Sequence, residues 1–162
     1  MATTTRAAIR DQMISDIEAL TPTSAPSDIR FRRSPRKTPL RKWATESNQS
    51  SAVLRRFEIL WDGLVERLPY QETTAYERRD RVTVTVAYPV KVGQYGSDEL
   101  DDLQDTVELD IRQIRDKIET AASYVSGENL ATVVSEEMDR SDDNVWFADL
   151  GVEITYYAAQ TV

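Results

Sequence analysis

Residues 97–125 read SDELDDLQDTVELDIRQIRDKIETAASYV, and this stretch decides how the rest of the chain must fold. Leu100, Leu103, Val107, Ile111, Ile114, Ile118, Ala121 and Val125 recur at steps of three and four, which draws one apolar stripe along a helix. Ser97 is placed to cap its start. Asp98, Glu99, Asp101 and Asp102 sit where the positive end of the helix dipole favours acids, and Gly127 lies just past the end. A helix with one apolar stripe and an acidic back needs a surface to lie on. Only the alternating segments on either side of it are long enough to provide one, so the expected class is α+β.

Before this helix, Phe57, Ile59 and Trp61 alternate with Arg56, Glu58 and Asp62 as a half-buried strand does, and Gly63 is expected to end it. Arg81 to Val90 repeats the pattern, with Val82, Val84, Val86, Tyr88 and Val90 opposite Thr83, Thr85 and Ala87. Pro89 marks a strand end or an edge. These two strands are expected to pair antiparallel. After the helix, Ala131 to Met138 is a further strand candidate, Arg140 to Asn144 a turn, and Trp146 to Tyr157 the most regular strand of the chain. A first helix is capped by Thr3, Thr4 or Thr5, buries Ile9, Met13, Ile17 and Leu20, and stops at Thr21-Pro22. The expected fold is one domain over residues 1–162, a mostly antiparallel sheet of about four strands against two helices in the order α-β-β-α-β-β.

Residues 22–51 show no sustained period. Four prolines and many Ser and Thr residues accompany Arg30, Arg32, Arg33, Arg36, Lys37, Arg41 and Lys42, with no acid between Ile29 and Thr45. A stretch of this length is expected to be an extended basic loop or arm. It is open whether it is a solvated loop, an arm that docks on an acidic neighbour, or a nucleic-acid contact. Phe31 and Trp43, interleaved with the bases, favour a segment that orders against something.

With 162 residues the chain can bury a real core. It has no cysteine and no histidine, so thiolate chemistry and the usual neutral-pH base are excluded. No apolar run is long enough to span a bilayer, and no secretory-type N-terminus is present, so a cytoplasm, or a particle assembled there, is expected. The net charge of −8 is unevenly divided: bases exceed acids by 15 to 11 through Arg81, and acids exceed bases by 17 to 5 from Val82 onward.

Catalytic signatures are missing. There is no phosphate-cradling G-x-x-x-x-G-K-[ST] run and no G-x-S-x-G elbow. The acids Asp98, Glu99, Asp101, Asp102, Asp105, Glu108 and Asp110 are oxygen ligands in principle, but a solvated helix face explains them. Asp139, Asp142, Asp143 and Asn144 suit a hairpin turn and lack the central glycine and the distal glutamate of a calcium loop. Glu136, Glu137, Asp149 and Glu153 lack the nearby lysine of a nuclease metal site. Neither an enzymatic activity nor a cofactor or metal is expected.

The first helix around Arg6 to Leu20, the strand VTVTVAYPV from Val82 to Val90, the helix start DELDDL from Asp98 to Leu103, and the strand LGVEITYY from Leu150 to Tyr157 together form a pattern that resembles the tail terminator (tail completion) proteins of long-tailed bacteriophages and related viruses. The resemblance covers most of the chain, and the basic insert over 22–51 departs from compact members of that family. It implies a virion structural protein that forms a ring, usually hexameric, on the head-proximal end of the tail tube. That ring ends tube growth and joins tail to head. Implied partners are identical subunits, the tail tube protein and a neck or head completion protein, with genomic DNA passing through without sequence-specific binding and no membrane. On this reading Arg30, Arg32, Arg33, Arg36, Lys37, Arg41, Lys42 and Trp43 contact a partner. Two alternatives stay open: another neck ring, adaptor or stopper, and a small nucleic-acid-binding or regulatory module using the basic segment.

Overall fold

A computed structural model of the chain describes residues 3–35, 37–47, 51–68, 75–90, 99–120 and 130–159. The elements are α1 (Arg6–Ala19), β1 (Arg32–Arg33), α2 (Leu40–Glu46), β2 (Arg56–Leu68), β3 (Ala75–Pro89), α3 (Glu99–Thr120), β4 (Leu130–Asp139) and β5 (Val145–Ala159). They build one five-stranded mixed sheet in the order β1-β2-β3-β5-β4, with β1 parallel to β2 and every other pair antiparallel. The α+β class is as expected. Among the described residues there are five strands and three helices, against the expected four or so strands and two helices, because the basic segment contributes β1 and α2.

Alternation along the strands sends two sets of side chains to opposite faces. On one face Val82, Val84, Val86 and Tyr88 of β3 and Trp146, Ala148, Leu150, Val152, Ile154 and Tyr156 of β5 are buried. They meet Ile9, Met13, Ile14 and Ile17 of α1 and Leu103, Val107, Ile111, Ile114 and Ile118 of α3 in the main core. The stripe therefore lies on the sheet as its spacing requires. Leu100 is the exception, half exposed in the first turn. Ser97, Gly127, Ala121, Val125 and Arg36 lie outside the described residues.

Thr5 caps α1, accepting a hydrogen bond from the Ala8 amide at 3.2 Å. Asp142 Oδ1 accepts from the amides of Asn144 and Val145 at 2.7 and 3.1 Å, which closes the turn between β4 and β5 as an Asx turn.

Gly63 does not end β2. Its φ of +136° lets the strand absorb Asp62 as an extra residue, so pairing passes from Trp61↔Val82 to Gly63↔Arg81 and the ladder continues to Leu68. A second irregularity at Val65 in β2, and one at Val134 in β4, interrupt the pairing of those two strands.

The opposite face has its own small core at one end. Leu40 and Ala44 of α2 pack on Val53, Ala87, Val145 and Phe147, with Trp43 alongside. α2 starts at Pro39 without a side-chain cap of its own; Glu58 of β2 accepts the Leu40 amide at 3.0 Å instead. Phe31 is buried in the main core. The expected extended arm thus includes a part that is ordered against the chain's own sheet, and the two interleaved aromatics anchor that part.

Candidate functional site

Arg55 sets the geometry of the basic edge. Its φ is +60°, a conformation that costs a residue with a Cβ on the order of 1 kcal/mol, and it turns the chain into β2 with the side chain completely buried. All five guanidinium donors are used. Nε and Nη2 form a fork on Asp110 of α3, to Oδ2 at 2.7 Å and Oδ1 at 3.2 Å. Nη2 also reaches Ser24 O and Oγ, both at 3.1 Å, and Nη1 bonds Ile29 O at 2.8 Å and Pro26 O.

Tyr88 and Ser24 donate to the same carboxylate at 2.9 and 3.1 Å. Burial is the largest influence on Asp110 and pushes its carboxyl above the ordinary value, against the pull of Arg55, Tyr88 and Ser24. This centre holds residues 24–29 against α3 and β3, and so fixes where Arg30 and Arg32 emerge.

Asp110 was expected on the solvated acidic face of the helix. It is instead fully buried. The signal was in the spacing: Asp110 stands seven residues after Leu103 and four before Ile114, within the stripe itself. Nothing in the sequence singled out Arg55.

A second buried carboxylate organises the far end of the core. Asp80 of β3 accepts from Trp61 Nε1 at 2.6 Å, Arg78 Nε at 2.6 Å and Tyr156 Oη at 2.8 Å, with Arg6 Nε at 3.4 Å. Burial, then the Asp80 carboxylate, pushes the Tyr156 hydroxyl up to about 12.

The expected partner-contacting residues separate into groups. Arg30, Arg32 and Arg33 emerge together at β1; Arg30 donates to Ala19 O at 2.9 Å, and Arg32 is exposed. Arg56, opposite Arg32 in the ladder, joins them and stacks over Trp43 at 5.6 Å. From its sequence position Arg56 is expected only on the outward side of a strand. Arg41 turns back onto its own chain, bonding Asp139 at 2.6 Å and Asp149 at 2.8 Å over the Phe147 ring. Lys37 and Lys42 are exposed.

Arg30, Arg32 and Arg56 line a shallow groove of about 260 Å³ together with Asp28. Burial, with Arg32 alongside, pushes the Arg56 guanidinium below its ordinary value, and Glu18 pulls it back. The site is electropositive and crowded, suited to an anion.

The exposed side of α3 is acidic. Asp101, Asp105, Glu108, Asp116 and Glu119 are exposed along α3 with Arg112 among them, which pairs with Glu108 at 3.0 Å. Between α3 and β4 a groove of about 410 Å³ is bridged by Arg115 and Glu136 at 2.7 Å. Glu153 pairs with Arg81 at 3.3 Å, while Asp149 accepts from Thr85 at 2.6 Å as well as from Arg41. Among the described residues no three Asp or Glu side chains converge in a way that would hold a metal ion, and no helix is long and apolar enough to cross a membrane.

No protein-family model and no curated protein matches the chain.

Proposed function

We propose that this protein is a ring-forming structural protein of a tailed virus, of the tail terminator type. Its copies associate head to tail, close on the head-proximal end of the tail tube, end tube polymerisation and offer a seat to the head. It works by shape and charge, without a catalytic step. The observation that carries this reading is the division of charge across one sheet. Residues through Arg81, with their excess of bases, supply β1 and β2 on one side of the middle strand; those from Val82, with their excess of acids, supply β5 and β4 on the other. A subunit with opposite charge on opposite edges mates with its own kind in a heterologous contact, and such contacts close into a ring when the rotation fits. The acidic side suits a lumen through which DNA passes without sticking.

Negative-stain imaging of the purified chain, alone and with polymerising tail tube protein, tests the proposal. Rings that cap and shorten the tubes are expected. A protein that stays monomeric and leaves tube length unchanged overturns it, and steep salt-dependent DNA affinity in that monomer would favour the nucleic-acid module instead.

A further inference from the structure

We propose that the three-arginine groove at the β1 edge is a carboxylate receptor for a second copy of this chain, and that Asp101 and Asp105 of α3 in the neighbouring copy fill it. The inference rests on the ring reading above and names the contact that would build the ring.

Arg30, Arg32 and Arg56 line one small concavity, and none of the three forms an ion pair with a described carboxylate. The concavity is held in shape from beneath. Arg55 pins the carbonyls of Ser24 and Ile29, and Arg56 donates to Ala52 O and Arg33 O, both at 3.0 Å. Three guanidiniums against the one carboxylate of Asp28 leave the groove with surplus positive charge, and guanidinium forks match carboxylates. A preorganised receptor of this kind loses little side-chain freedom on binding.

The complement is carried by α3 of the same chain. Asp101 and Asp105 stand one helical turn apart on the exposed side of α3, and neither forms an ion pair with a described residue. Half-exposed Leu100 lies beside them and adds apolar area to the contact. Within one chain α3 braces the back of the segment that walls the groove, with Thr106 donating to Ala25 O at 3.0 Å and Asp110 pairing with Arg55, yet neither Asp101 nor Asp105 pairs with a groove arginine. The two patches therefore complement each other between copies rather than within one.

The experiment uses the full chain in three forms: wild type, Arg32→Glu, and Asp101→Lys with Asp105→Lys. Each substitution is at an exposed side chain outside both cores, and circular dichroism checks the fold. Sedimentation velocity at low and moderate salt reads the assembly. The wild type is expected to form the oligomer, and each variant alone to weaken it at least tenfold. An equimolar mixture of the two variants is expected to recover it, because one keeps an intact acidic stripe, the other keeps an intact groove, and the remaining contact is the reversed ion pair. If Arg32→Glu assembles like the wild type, or the mixture fails to recover, the groove is not the receptor while the ring reading stands. If the wild type itself does not associate at any concentration, the ring reading falls and takes this contact with it.

Discussion

Replacing Arg55 by Met removes the charge that Asp110 faces and tests what holds the basic edge in place. Both side chains are fully buried, and the carboxylate keeps only Tyr88 at 2.9 Å and Ser24 at 3.1 Å once the fork is gone. Breaking one half of a buried, hydrogen-bonded pair costs about 3–5 kcal/mol, because the other charge stays buried and uncompensated. For a domain of this size each kcal/mol moves the melting temperature by roughly 2–4 °C, so a fall of roughly 6–20 °C is expected. Lys offers one point charge in place of a planar fork and cannot serve Asp110, Ser24, Pro26 and Ile29 together, so R55K is expected to lose about 2–4 kcal/mol. Neutralising the orphan in R55M/D110N is expected to restore about 1–3 kcal/mol. The assay is urea unfolding followed by tryptophan fluorescence, with limited proteolysis as a second readout. Cleavage between α1 and β1 should appear in R55M before any loss of the sheet. An R55M loss below about 1 kcal/mol, or an R55K variant as stable as the wild type, would refute the reasoning.

Two further outcomes follow from the other face and the other carboxylate. A Cβ on Gly151 would collide with Ser135 Oγ and lie 2.9 Å from Arg81 Nη1, so Gly151→Val is expected to cost about 1–3 kcal/mol by thermal melting, and Ser135→Gly in the same chain to recover part of it. Tyr156 ionises near 12 when folded and near its ordinary value of 10 when unfolded, so its contribution is whole below pH 10 and is lost as pH rises from 10 toward 12. Tyr156→Phe removes this titration. Its stability deficit against the wild type, from urea midpoints across that range, is expected to shrink by about 2 kcal/mol, and tyrosinate absorbance should lose one late-ionising residue.

The elements that the sequence made legible are those where one face is apolar and the other is not. The stripe from Leu103 to Ile118 and the alternation from Trp146 to Tyr156 are periodic over many residues, so local spacing alone identifies them. The basic segment was opaque for the opposite reason. α2 is seven residues long and buries two of them, and β1 is two residues long; neither has room for a period. Both exist because the sheet offers Ala87, Val145 and Phe147 on one face and a free edge at Phe57. Those are tertiary facts that no local window contains. The bulge at Gly63 is not legible because a glycine after an alternating run signals a stop and a bulge equally well.

The candidate site was legible in composition and not in geometry. The run from Arg30 to Lys42 announced a basic surface, but which of its residues face outward depended on Asp139 and Asp149 claiming Arg41, about a hundred residues away. Asp110 could have been found, since an acid on an apolar stripe calls for a buried cation. Its partner could not, since Arg55 and Arg56 are neighbours with the same charge, and only the left-handed turn at Arg55 sends one inward.

The position of β5 has a consequence for how the chain acquires its shape. It follows the other four strands in sequence, yet it lies between β3 and β4, so neither of those can complete its hydrogen bonding before it arrives. The β2–β3 hairpin can form early from neighbouring residues, whereas Pro89 and Val145 must find each other across an intervening helix and strand. Until then one side of β3 is an open, valine-rich border on which sister chains at high concentration could pair wrongly, and the interval before β5 docks is when this molecule most needs protection from its own kind.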